Sequence, residues 1–315
     1  MTTEQQISRP RVAWIDSARC LAMFFIMWLH VGQAPEWLGR PVGGGICLFF
    51  VMAGYFMPRE PERAARRALL LGLSWLLWSL LTFGLYLLVW PSLQWSWAKV
   101  FGYGVAAYNA PLWFIRNLTI YQLIIALLAT CRLLPRHNWL VLAVLAALSY
   151  TNEPAQHEGL RFDWMMAVML GYCLRAVPLD KLSDWIGRNA IVLLVAVVLV
   201  LLQRELYPQW LKSEGISYYR CSLHVAQLGY AVLMCLGALG LSRLLPRINR
   251  LLAKAGSCMM FTYVAHSLLY SPIYHYNLPR ENGWIYAVAG IVLLTGLYHL
   301  LAARFPRVMK FLTAR

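Results

Sequence analysis

Residues 14–30 read WIDSARCLAMFFIMWLH, an apolar run interrupted by Asp16, Arg19 and His30. Arg19 and His30 are eleven steps apart. At 1.5 Å per residue that is roughly 16 Å, about half the hydrocarbon thickness of a bilayer, and eleven turns of 100° return the second side chain to within about 20° of the first. Read as a helix, the stretch carries a cation near one membrane surface and an imidazole near the middle, both on one face. Asp16, three residues before Arg19, lies on nearly the same face, within reach of the guanidinium. Ionisable groups at such depth are costly, so they face protein or water and by default point to function. A buried, uncharged imidazole could act as a general base, a service worth roughly 10²–10⁴ in rate. A histidine satisfied by neighbouring helices, with Arg19 as an inner-surface anchor, accounts equally for these two residues.

The rest of the 315 residues extends the membrane reading. Apolar residues make up 60% and charged residues 13%, against roughly 45–50% and about 25% in soluble domains, which excludes an ordinary soluble enzyme. Breaking the apolar runs at charge, Pro and Gly leaves ten stretches: 14–34, 44–58, 68–90, 100–106 continued through 111–131, 138–150, 162–176, 189–206, 219–242, 256–272 and 283–303. The second and fifth are short for a full crossing. The expected fold is all-α, a polytopic integral membrane helical bundle of about ten transmembrane helices. Residues 1–13 form an N-terminal tail, 14–303 the membrane domain and 304–315 a C-terminal tail. With the N-terminus inside and sides alternating, 20 of the 28 Lys and Arg fall on the inner side. That asymmetry puts both termini in the cytoplasm. The net charge of +15 is then loop charge that fixes orientation, and no nucleic-acid partner is expected. The seven cysteines are scattered with no C-x-x-C pair, so neither a disulfide framework nor a zinc site is expected. Asp16 and Arg19 in the first stretch argue against a cleavable signal peptide.

Arg63, Arg66 and Arg67 form a cytoplasmic stripe with the spacing of three and four that could receive phosphates in paired hydrogen bonds. Anchoring against lipid headgroups explains them as well. Gly43, Gly44, Gly45 and Gly54 suit a narrow channel or, more simply, tight helix packing. Trp113, Phe114 and Arg116 mark the outer end of the fourth stretch, where an aromatic belt is expected. Arg116 could pair with Glu153, Glu158 or Asp163, or touch an acceptor sugar. Tyr263 and His266, three residues apart on the ninth stretch, place two polar groups on one face toward the outer half. There His266 is either a second site histidine or a hydrogen-bonded structural one. His137, His157, His224, His275 and His299 lie in loops or near stretch ends and are given no role. The outer segments WPSLQWSW (90–97), YPQW (207–210) and SPIYHYNLPREN (271–282) offer rings for stacking on sugars, or for interface anchoring.

Five segments in order carry a family resemblance: the Arg19-x10-His30 pair, LFFVMAGYF at 48–56, RAARRALL at 63–70 running into SWLLWSL, PLWFIRNLTIYQLI at 111–124 and AGSCMMFTYVAHSLL at 255–269. Together they resemble the membrane acyltransferase 3 family, most of all its short sugar O-acetyltransferase forms, including fucose-4-O-acetyltransferase-like members that lack a soluble esterase-like domain. The resemblance implies transfer of an acyl group, usually acetyl from cytoplasmic acetyl-CoA, to a carbohydrate hydroxyl of the envelope. His30 matches the family's catalytic histidine and Arg19 its partner arginine. The expected partners are acyl-CoA, a carbohydrate acceptor and membrane lipid, with no metal, in a multi-pass protein of the bacterial inner membrane. One departure is Ala53-Gly54, where the family's motif often reads Ser-Gly. A transporter or flippase of lipid-linked sugars is the competing class, and its mark would be an internal repeat with paired broken helices.

Overall fold

Inside a bilayer the backbone finds no water, so a spanning segment must satisfy its own N–H and C=O groups, and the helix does this. Each of the ten apolar stretches contains a helix among the described residues. The computed structural model describes residues 12–31, 34–89, 96, 98, 112–149, 160–206, 216–275 and 281–313. Among these there are thirteen α-helices and no strand. They are α1 (Ala13–Val31), α2 (Gly39–Tyr55), α3 (Pro61–Val89), α4 (Trp113–Thr130), α5 (Asn138–Ser149), α6 (Phe162–Leu174), α7 (Leu179–Arg188), α8 (Ala190–Leu206), α9 (Ile216–Leu244), α10 (Pro246–Gly256), α11 (Met259–His275), α12 (Gly283–Arg304) and α13 (Pro306–Leu312). The outer-segment rings at 90–95, 97, 207–210 and 276–280, Glu153, Glu158 and the first part of the fourth stretch lie outside the described residues, as do residues 1–11.

Five helices are long and apolar enough to cross a membrane: Ala13–Val31, Pro61–Leu85, Trp113–Thr130, His224–Leu244 and Gly283–Arg304. A sixth span results if α6 and α7, bent by 104° across a short break, count as one. Helices α2 and α11, of 17 residues each, are roughly 26 Å long, a little under the hydrocarbon thickness. The exterior is apolar. On α8, Ile191 and Val192 are 78% and 67% exposed, and Val292 and Leu300 on α12 and Leu69 and Leu80 on α3 are similarly bare. The interior holds Asp16, Asn117, Gln122, Arg161, Asp163, His224 and His266. Water would penalise that distribution and lipid favours it. This is a multi-pass membrane protein.

Helix α1 is central, packed by α2, α9, α10, α11 and α12. Its foot is fastened to α10 by Ser17, whose Oγ lies 2.7 Å from Asn249 Oδ1 and 3.0 Å from the Asn249 carbonyl. Below it Gly256 leaves no room for a side chain, since a Cβ there would fall on the Asp16 carbonyl oxygen. The most extensive helix pair is α2 with α6, and glycine makes it possible on both sides. A Cβ on Gly54 would collide with the Val168 carbonyl, and one on Gly171 with the Val51 carbonyl. Gly44 and Gly45 press on Tyr230 and Ala22 and Gly43 on Gln227, so these glycines of α2 serve packing. The stretch after Arg304, expected as a tail, contains a docked helix. The Leu312 carbonyl at the end of α13 accepts hydrogen bonds from Ser74 Oγ (2.7 Å) and Trp78 Nε1 (3.1 Å) of α3.

Replacing Gly171 by Ala is expected to cost about 1–3 kcal/mol through overpacking of backbone against backbone. Gly84, with open space around its Cα, supplies the control: Gly84→Ala leaves the melting temperature of the detergent-solubilised protein unchanged while Gly171→Ala lowers it.

Candidate active site

Asp16 and Arg19 share a face of α1 because three residues make nearly one turn. The Arg19 Nη1 donates to Asp16 Oδ1 at 2.9 Å, with Asp16 buried. The guanidinium also lies over the Phe56 ring, 5.3 Å from its centroid. From the other side Arg67 of α3 donates to the Phe56 carbonyl at 2.8 Å. Two cations are thus brought to one aromatic corner by different helices. Between them opens a cleft of about 210 Å³, walled by side chains of α1, α2, α3, α4 and α11 and by Thr313 just beyond α13. Arg19, Arg67, Ser257 and Thr313 bring charge and hydroxyl groups to its wall, and Met52, Phe114 and Met259 bring apolar surface. Ligand pockets commonly run to roughly 300–1,000 Å³. A cleft of this size takes the narrow end of a long ligand and leaves a nucleotide outside.

Tyr263, one turn into α11, also lines the cleft. Its ring centroid is 5.1 Å from Phe114 and 5.6 Å from His266. Sharing a cleft with Arg19 and Arg67, Tyr263 stands closer to the basic end than its place in the sequence suggests. His266 is fully buried, and its Nδ1 lies 2.5 Å from the Tyr263 carbonyl. A carbonyl oxygen only accepts, so Nδ1 carries the proton and Nε2 holds a lone pair. That Nε2 has no hydrogen-bond partner among the described residues. The neighbouring ring is His30, with centroids 5.2 Å apart. His30 is half-buried and does not itself line the cleft; the contacts that lead to it from the cleft run through Tyr263 and His266.

The other expected residues scatter. Arg63 is exposed and faces Glu60 at 3.8 Å, and Arg66, 100° round the helix from Arg67, is exposed too. Only Arg67 of that stripe reaches the cleft. Trp113 packs beside Trp164 and Phe114, with centroids 6.4 and 6.3 Å away. Arg116 donates from Nε to Asn117 Oδ1 at 3.2 Å. Asp163 is bound instead by Arg161, through Nε at 2.9 Å and Nη2 at 2.5 Å. His224 Nδ1 lies 3.2 Å from the same carboxylate, and Tyr121 donates to the Arg161 carbonyl at 2.9 Å. This second polar cluster joins α4, α6 and α9.

A model of the acyltransferase domain matches residues 12–302, nearly the whole described bundle. The chain belongs to the acyltransferase 3 family. It matches no curated protein and no solved structure. Membership makes this family member a membrane acyltransferase in the broad sense. The match ends before α13, yet Thr313 beyond it lines the cleft. Ala53 lines it too, so where the family's motif often has a serine hydroxyl this member presents a methyl group to the ligand space.

Sequence reading passed over Gln122, Ser257 and Thr313 in the cleft and the Arg161–Asp163–His224 cluster. Gln122 had a signal, since Phe114, Leu118 and Gln122 recur every four residues on one stripe of α4. Nothing local marks Thr313. Asp163→Ala would leave the Arg161 guanidinium buried without its carboxylate, and such a loss costs about 3–5 kcal/mol. A thermal unfolding curve should register that loss, whereas Arg63→Ala, breaking an exposed pair, should shift it by at most about 1 kcal/mol.

Proposed function

We propose that the protein transfers an acyl group, acetyl in the simplest case, from acyl-CoA to a hydroxyl of an envelope polysaccharide or lipid-linked sugar. It does so as a ten-span enzyme of the bacterial inner membrane with both termini in the cytoplasm, related to the sugar O-acetyltransferase forms of its family. The cleft itself supports this reading, with Arg19, Arg67 and Tyr263 lining it and the rings of His266 and His30 following on from Tyr263. Phosphates of the donor pair with the two guanidinium groups in charge-assisted hydrogen bonds. The acyl arm enters the apolar depth, where excluded water protects the thioester from hydrolysis.

The carbohydrate hydroxyl approaches from the side of His30. As its oxygen bonds to the thioester carbonyl carbon, its proton passes to the imidazole of His30. The C–S bond then breaks, the thiolate takes that proton, and ester and free CoA result. Asp16 holds the Arg19 guanidinium in place beneath this axis. His266, with Nδ1 committed to a backbone carbonyl, keeps a fixed ring against His30. The transporter reading requires paired broken helices, and among the described residues a single helix pair is bent.

His30→Ala should lower acyl transfer by at least about 10²-fold while acetyl-CoA still protects the purified protein against heat. Loss of activity together with loss of donor protection would instead assign His30 to folding or binding. The arginines separate in donor KM: Arg67→Ala raises it about tenfold or more, as expected for a lost hydrogen bond to a charged group. Arg66→Ala, outside the cleft, leaves it within about twofold.

A further inference from the structure

On α4 the stripe formed by Phe114, Leu118 and Gln122 faces the cleft, and its last member breaks the apolar pattern of the first two. Gln122 is 2% exposed, and its Oε1 has no hydrogen-bond partner among the described residues. Its neighbours are settled locally: Thr119 donates to the Ile115 carbonyl at 2.9 Å, and Tyr121 to that of Arg161. A buried acceptor left without a partner is destabilising where a leucine of similar size is not. The side chain is also the sole carboxamide among the residues that line the cleft. A buried amide kept in an apolar wall, without a structural partner, is chemistry suited to a ligand that brings its own amide.

We infer that Gln122 hydrogen-bonds an amide of the donor's pantetheine arm and so fixes how deep the thioester lies, an inference that rests on the cleft being the acyl-CoA site. The arm carries two secondary amides between its phosphate end, held at Arg19 and Arg67, and its sulfur. A carboxamide can turn its oxygen to an N–H or its NH₂ to a C=O, so either face of such an amide is accommodated. On the stripe of α4 that faces the cleft, Phe114 and Leu118 are apolar and Gln122 alone is polar, so its contact sets the register of the donor along that wall. Gln122 is therefore a positioning residue that selects pantetheine thioesters.

The test compares the wild type with Gln122→Leu as full-length purified proteins, reading ligand-free melting temperature and the dissociation constants of CoA and of 3′-phospho-ADP, the nucleotide half without the arm. The expected result is an unchanged or higher melting temperature, about tenfold weaker CoA binding, and nucleotide binding within about twofold of the wild type. Equal CoA affinity in the two proteins overturns the assignment, as does an equal loss for CoA and the nucleotide half, which would mean a distorted cleft. Failure of the wild type itself to bind CoA removes the donor site, and this inference with it.

Discussion

Asp16 and Arg19 form their ion pair on a helix that is otherwise apolar, and the cost of charge in a low-dielectric slab dictates what surrounds it. An unpaired guanidinium there would be driven to the surface, and an unpaired carboxylate would be costly. Pairing at 2.9 Å removes part of that cost, and enclosure removes more. Five helices pack on α1, glycine at position 256 lets the Asp16 backbone sit against α10, and Ser17 ties the same turn to Asn249. The face that holds the pair carries His30 farther along. Fixing the foot of α1 therefore fixes the azimuth of the imidazole above it.

Two polar clusters divide the interior, and they differ in whether they open on the cleft. Arg161 binds the Asp163 carboxylate and Tyr121 donates to the Arg161 carbonyl, while His224 of α9 lies 3.2 Å from that carboxylate with neither ring nitrogen hydrogen-bonded among the described residues. That arrangement holds helices together. Around the cleft the groups are left open: Nε2 of His266 and Oε1 of Gln122 have no partner among the described residues. An ion pair closed between helices suits a structural joint, and an unpartnered polar group on a cavity wall suits a ligand. Gln122, Arg19 and Arg67 line the cleft and Arg161, Asp163 and His224 do not, which is the ground for placing the donor there.

Much of this was legible in the sequence because the bilayer simplifies the code. Breaking the apolar runs at charge, Pro and Gly gave stretches that each contain a helix among the described residues, and helical spacing put Asp16 beside Arg19. The sequence already marked α2 and α5 as short for a crossing, whereas α11 proves short only once its ends are seen. Spacing within one helix did not tell Arg63, Arg66 and Arg67 apart, and of the three only Arg67 lines the cleft. Three residues on a stripe need not share a ligand when a neighbouring helix selects which of them it meets, and Phe56 meets Arg67. Contacts between distant segments were not readable at all. His224 looked idle until Asp163 was placed beside it, and Thr313 gains its position only from the docking of α13 on α3.

In the proposed complex an acyl donor occupies the cleft between Arg19 and Arg67 with its sulfur toward Tyr263. A cryo-electron microscopy map of the protein with bound CoA tests it most directly. The account predicts phosphate density against both guanidinium groups and the arm running inward along α4, with the sulfur at the Tyr263–His266 end. CoA density seated elsewhere on the bundle, or a cleft that stays empty at saturating CoA, would contradict it.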